Sequence, residues 1–139
     1  MLEVYSVNQA VAANSPVAFT AKSLRAGCSV AKADNYTILL RKPGIYKVSM
    51  SGSFTGSLEY PIEAGVASIA LSRDGNIETS TARSVTVAAD TTYELSTDKL
   101  IKVDPPLPGT CFTPIALTVM NTGVAVTFTT VSLNVIKVA

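Results

Sequence analysis

Apolar and polar positions alternate along most of this chain. In residues 41–54, RKPGIYKVSMSGSF, the side chains Tyr46, Val48, Met50 and Phe54 fall on one side, and Lys47, Ser49, Ser51 and Ser53 on the other. A period of two places one face of a β-strand against a core and the other against solvent or a partner. The same pattern predicts strands at 2–7, 17–20, 28–30, 36–40, 45–54, 66–73, 83–88, 100–103, 115–121 and 124–138, with a further one led by Tyr93 and Leu95. Within 66–73, Ile69 and Leu71 face one way and Ser68, Ala70 and Ser72 the other. Val85 and Val87 form the inner face of 83–88.

The punctuation between these runs is that of turns. Lys42-Pro43-Gly44 leads into the 45–54 strand, with proline fixing φ and glycine accepting a positive one. Asp74-Gly75 is a two-residue hairpin signal. Asn14-Ser15-Pro16, Ala89-Asp90-Thr91 and Thr122-Gly123 are further turns. Three prolines in 105–109 make that stretch an exposed connection, because they remove ladder donors. No segment keeps a 3.6-residue period over two turns; residues 7–13 have room for one helical turn at most. With the shortest of these runs, such as 28–30, only candidates, roughly eight to ten strands at this spacing predict an all-β, antiparallel, two-sheet sandwich or barrel. One domain spans 1–139, with 1–14 as a possible N-terminal arm or docking strand.

Composition explains what covers the outside. Apolar residues make up 47% and charged ones 15%, against roughly 25% charged in an average domain. Hydroxyls fill the gap, with 14 Ser and 16 Thr. Net charge is +1 with no basic run, so neither a nucleic acid nor a membrane surface is an expected partner. No basic region precedes an apolar core at the N-terminus, so no signal peptide is read; the expectation is a chain made in a cytoplasm, or one whose leader has been removed.

Candidate chemistry is sparse. There is no histidine, which removes the commonest general base, nucleophile activator and metal ligand. No catalytic residue, cofactor or metal site is assigned, and an enzyme is not expected. The carboxylates sit mostly beside turns, where they solvate loops; the pairs Glu59/Glu63 and Asp98/Asp104 lack the dense oxygen spacing of a calcium site. Cys28 and Cys111 read as two buried or half-buried thiols. Asn35-Tyr36-Thr37 matches a glycosylation sequon, taken as chance. Among Tyr5, Tyr36, Tyr46, Tyr60 and Tyr93, the first choice for an exposed ring is Tyr60, in the polar 56–65 loop; Tyr46 and Tyr93 sit on apolar faces and belong to the core.

Several blocks have a familiar order. TILLRKPGIYKVSMSGSF resembles the segment of tumour-necrosis-factor-like jelly rolls, of the complement globular-head type, in which a short strand and a Gly-x-Tyr turn lead into a long alternating strand. GVASIALSRDGNI, YELSTDKLIKVDPP and VSLNVIKVA resemble the later strands, and VNQAVAANSPVAFTAKSLRAGCSV is similar to the opening of small jelly rolls found in phage head-fibre and head-decoration proteins and in spore-surface protein C-terminal domains. The resemblance implies a homotrimer. Ile136 and Val138, opposite Leu133 and Val135, are the candidate trimer-interface residues. It also implies a virion structural protein on a capsid surface, made in a bacterial host, with a major capsid or other virion protein as partner. Met1, Leu2, Glu3, Val4, Tyr5 and Ser6, or loop tips, are the candidate docking contacts. The alternative is a receptor- or carbohydrate-binding tip that meets a host surface glycan. Its site would be the 56–65 loop with Glu59, Tyr60 and Glu63, and the 75–83 loop with Asn76, Glu78 and Arg83. A spore or cell-surface coat protein is a further alternative.

Overall fold

A computed structural model describes residues 1–55, 66–86 and 92–139. They form ten strands: β1 (Leu2–Val11), β2 (Ala21–Arg25), β3 (Val30–Lys32), β4 (Ile38–Leu40), β5 (Gly44–Thr55), β6 (Val66–Arg73), β7 (Asn76–Thr86), β8 (Thr92–Val103), β9 (Ile115–Asn121) and β10 (Val126–Lys137). No helix occurs among the described residues. The first sheet has the order β2-β1-β10-β5-β8 and the second β3-β4-β9-β6-β7. All pairings are antiparallel, giving the two-sheet sandwich that the alternation predicts.

The core lies between the sheets and is built from the inward positions of each strand. Tyr46, Val48, Met50 and Phe54 of β5 are all buried, as are Leu133 and Val135 of β10. Across from them lie Ile69, Leu71, Leu117 and Val119 of the second sheet. Gly52 occupies the inward position missing from the β5 series, and a Cβ there would stand 2.7 Å from the Phe128 ring. Phe128 therefore fills the volume that a β5 side chain would otherwise take. It meets Phe54 edge-on at 5.8 Å, and Phe54 in turn stacks on Tyr93 at 5.7 Å. The Tyr46 hydroxyl reaches the rim of the core and donates to the Lys42 carbonyl at 2.6 Å, while burial pushes its pKa up.

The Asp74-Gly75 hairpin forms as its sequence requires. Arg73 pairs with Asn76, and Asp74 and Gly75 have φ of 50° and 87°, the two positive values of a type I′ turn.

Four expectations are corrected. Residues 7–11 are not a helical turn, because β1 continues to Val11 against β10. The Gln9 side chain acts there as a ladder partner: it donates to the Ala18 carbonyl at 2.6 Å and accepts from the Ala18 amide at 2.8 Å. Residues 17–20 form no strand of their own, although Val17 and Phe19 are buried and their amides donate to Val119 and Asn35 carbonyls. The separate strands expected around Tyr93 and at 100–103 are one strand, β8, paired without a break along β5 from Val103 to Thr92.

The fourth correction lies within the expected 75–83 loop, where Gly75 is the second turn residue and everything from Asn76 onward is strand β7. On β6, Ile69 and Leu71 are two residues apart, while their β7 partners Arg83 and Glu78 are five apart. The extra residues bulge outward. Thr81 closes the gap: it is 1% exposed, its hydroxyl accepts from the Leu71 amide at 2.8 Å, and it donates to the Glu78 carbonyl at 2.6 Å.

A second buried polar side chain ties three segments together. Asn121, at the end of β9, is fully buried. Its Nδ2 donates to the carbonyls of Val11, Ala12 and Val124, and its Oδ1 accepts from the Gly123 amide. Thr97 is the opposite case. Its hydroxyl faces the core of β8 and has no hydrogen-bond partner among the described residues. Thr97→Val keeps the shape and removes the stranded hydroxyl. The expected result is a gain of about 1 kcal/mol in unfolding free energy, read from urea denaturation at fixed protein concentration.

Candidate functional site

The first sheet turns one face to the core and leaves the other uncovered. Strand register sets the outward residues in rows. One row is Tyr5, Ser132, Ser51 and Ser96; the next is Glu3, Asn134, Ser49 and Asp98. Val7, Thr130, Ser53 and Glu94 lie on one side of these rows, and Ile136, Lys47 and Leu100 on the other. The central positions of β10 and β5 therefore carry only Thr130, Ser132, Asn134, Ser49, Ser51 and Ser53. Ser51 and Ser132 share a hydrogen bond of 2.9 Å between their hydroxyls.

Apolar groups border this uncharged centre. Among the described residues eleven large apolar side chains are exposed, and six of them (Tyr5, Val7, Ile45, Leu100, Ile136 and Val138) belong to this one face. Single exposed apolar residues are ordinary; here Ile45, Leu100, Ile136 and Val138 gather around Lys47 at one end of the face, and Tyr5 and Val7 stand apart on β1. Leu100, at 61% exposed, sits in the same row as Ile136, at 38%. Ile136 and Val138 lie on the outward face, and Leu133 and Val135 opposite them are buried.

The N-terminal residues are not a free arm. β1 is flanked by β2 and β10, and the Met1 ammonium donates to the Ala26 carbonyl at 2.7 Å. Leu2, Val4 and Ser6 are buried in the sandwich, so of the six candidate docking residues only Met1, Glu3 and Tyr5 direct side chains outward. Asn76, Glu78 and Arg83 stand on β7 rather than on a loop. Arg83 turns back along that edge strand and donates to the carbonyls of Ser80 and Ala82, which covers acceptors that a foreign strand would seek. Glu59, Tyr60 and Glu63 lie outside the described residues, as do Val87 and Asp90. Asp98 and Asp104 are six residues apart along an extended strand, roughly 20 Å, and so do not meet. Asp104 pairs with Lys102 at 3.4 Å, both side chains largely in solvent.

The cysteines differ from expectation. Both are exposed and neither is in a disulfide. Cys28 follows Gly27, whose φ of 76° turns the chain outward between β2 and β3. A hydrogen bond and the charge of Lys42 lower the Cys28 pKa, with a smaller contribution from Arg41. Its thiolate therefore persists to lower pH than that of an ordinary cysteine. In a pH-rate profile of iodoacetamide alkylation, assigned to Cys28 by peptide mapping, Lys42→Met is expected to move the midpoint to higher pH. An unmoved midpoint would show that Lys42 does not set it.

No group of three or more metal-ligating side chains occurs among the described residues. Two packed five-stranded antiparallel sheets give this protein the fold of a tumour-necrosis-factor-like jelly roll. Comparisons with solved structures give the same answer. The globular domain of zebrafish complement 1qA protein matches with a TM-score of 0.62 at 11% identity, over 99% of this chain and 96% of that one. Murine APRIL at pH 5.0 matches with a TM-score of 0.66 at 14% identity, over 99% and 98%. The pH 8.0 structure of murine APRIL gives 0.52 at 12%, with the same coverage. These identities carry the fold alone. No protein-family model and no curated protein matches the sequence.

Proposed function

We propose that this protein is a non-enzymatic structural module that self-associates as a homotrimer through the outer face of its first sheet. In this reading it serves on a phage capsid surface as a decoration or head-fibre protein. The observation that carries the self-association is the group of exposed apolar side chains at one end of that face, beside its uncharged centre. The fold it shares with complement and APRIL domains supports the reading. The virion role rests on the resemblance of the opening and strand segments to phage head proteins. Its mechanism is mechanical: a nearly neutral, hydroxyl-covered sandwich adds buried area to a shell and shows an inert surface outward. Capsid docking then falls to outward residues away from the trimer contact and to exposed connections such as 104–110, where Leu107 is 76% exposed. Electron microscopy of particles from the source phage tests it. Density for a threefold module on the head supports the role, and particles lacking the protein overturn it.

A further inference from the structure

The second sheet carries a concave feature on its outer face. An open depression of ≈ 690 Å³ lies over β9, between the approach to β4 and the β6–β7 hairpin. Its floor follows the ladder: Thr118 of β9 is paired with Ser72 of β6, and Ser72 with Ile77 of β7. Tyr36, 48% exposed, and Ile77, 42% exposed, offer apolar surface, and Asp34 and Asp74 stand among the lining residues.

Three observations give this depression a chemical preference. First, Ser72 is 5% exposed and lines the depression, so its small hydroxyl side chain forms part of the floor. With Thr118 beside it, it offers donor and acceptor sites that a ligand hydroxyl can meet. Second, both carboxylates are held in place by the backbone. Asp34 Oδ1 accepts from the amides of Tyr36 and Thr37 at 2.7 and 2.8 Å, and Asp74 Oδ1 accepts from the Ala116 amide at 2.9 Å. The Tyr36 and Thr37 amides keep the Asp34 pKa below its ordinary value, so it remains an acceptor. Third, no Lys or Arg lines the depression, which disfavours an anionic ligand.

We propose that this depression binds a neutral saccharide. One sugar face, made of C–H groups, would rest on Tyr36 and Ile77. Its hydroxyls would donate to the fixed carboxylates and exchange hydrogen bonds with Ser72 and Thr118. An organic cation would use the acids and the ring but leave the hydroxyl floor unmet. A sialylated or phosphorylated glycan would meet two like charges. This inference goes beyond the structural role and does not depend on it, because the depression is on the sheet opposite the self-association face.

The test is an array of immobilised glucose-, galactose- and N-acetylglucosamine-terminated oligosaccharides, their sialylated counterparts and a lysine-rich peptide, probed with the full chain. At least one neutral glycan is expected to bind, with its sialylated form at least tenfold weaker. Tyr36→Ala and Ser72→Val are each expected to lower that binding more than tenfold, and Tyr36→Ala to do so at an unchanged melting temperature. Absence of any glycan binding overturns the proposal, and so does equal binding of sialylated forms. Binding that survives both substitutions, or binding of the peptide alone, overturns it as well. The oligomeric mass is a separate readout and is unaffected by any of these outcomes.

Discussion

Asn121→Ala is expected to lower the unfolding free energy by about 3 kcal/mol or more, although the substitution removes only an amide. The side chain is fully buried and serves four backbone groups in three segments. Alanine leaves the carbonyls of Val11, Ala12 and Val124 without their donor, and the Gly123 amide without its acceptor. Each stranded group loses its water contacts on folding and gains nothing in exchange, at a cost of about 1–3 kcal/mol when no water enters. Partial relaxation of the 121–124 turn keeps the total below the full sum. Asn121→Asp is expected to be worse, because it keeps the acceptor, removes the donor and buries a charge against three carbonyls. Thermal melting at fixed protein concentration checks both. A drop of about 10 °C for alanine, and a larger one for aspartate, is the expected order. A melting point unchanged in Asn121→Ala would mean that water replaces the amide and that the hub carries little.

Ser51→Arg is expected to abolish self-association while leaving the chain folded. Ser51 lies at the centre of the first sheet's outer face, half-buried, with its hydroxyl 2.9 Å from that of Ser132. In a free chain an arginine there extends into solvent, and substitutions of that kind change stability by about 0.5 kcal/mol or less. In a packed interface the same guanidinium must be desolvated between close-packed serines; Asp98 and Glu94 stand one row to either side on β8, and a new charge buried there still costs several kcal/mol. That weakens association by more than a hundredfold. Ser49→Arg, one row away, should behave alike. Circular dichroism reports the fold and sedimentation the mass. Both variants keeping the wild-type mass would place this face in solvent.

Much of the architecture is legible in the sequence because the strands bury one face each. The alternation of Tyr46, Val48, Met50 and Phe54 needs no knowledge of neighbours to declare which side is core, and Asp74-Gly75 declares its turn by conformation alone. Legibility fails where a side chain takes over a backbone role. Residues 76–83 have no clean alternation, because Thr81 substitutes for ladder partners across a bulge, so a strand reads as a loop. Residues 7–11 lose their pattern where Gln9 replaces a neighbouring strand. Asn121 reads as the last residue of the 115–121 strand, and nothing local shows that it reaches a carbonyl 110 positions earlier in the chain.

The surfaces were less legible than the core. The serines of β5 are visible in the sequence as a small polar face, but their alignment with Ser132, Asn134 and Thr130 depends on the register of β5 with β10. Leu100 joins that face only because β8 is one continuous strand. Tyr36 is one of five tyrosines until β4, β9 and the hairpin bring Ser72, Asp34 and Asp74 around it. Cys28 was expected inside, since cysteine is among the most buried residues, but a single glycine turn places it outside beside Lys42.

The most direct test of the account is the mass of the wild-type chain in solution, by sedimentation equilibrium over a wide concentration range at moderate salt. The account predicts a species of three times the 14.5 kDa of one chain, reduced to one chain by Ser51→Arg. A wild-type protein that stays at the mass of one chain up to high concentration would contradict it.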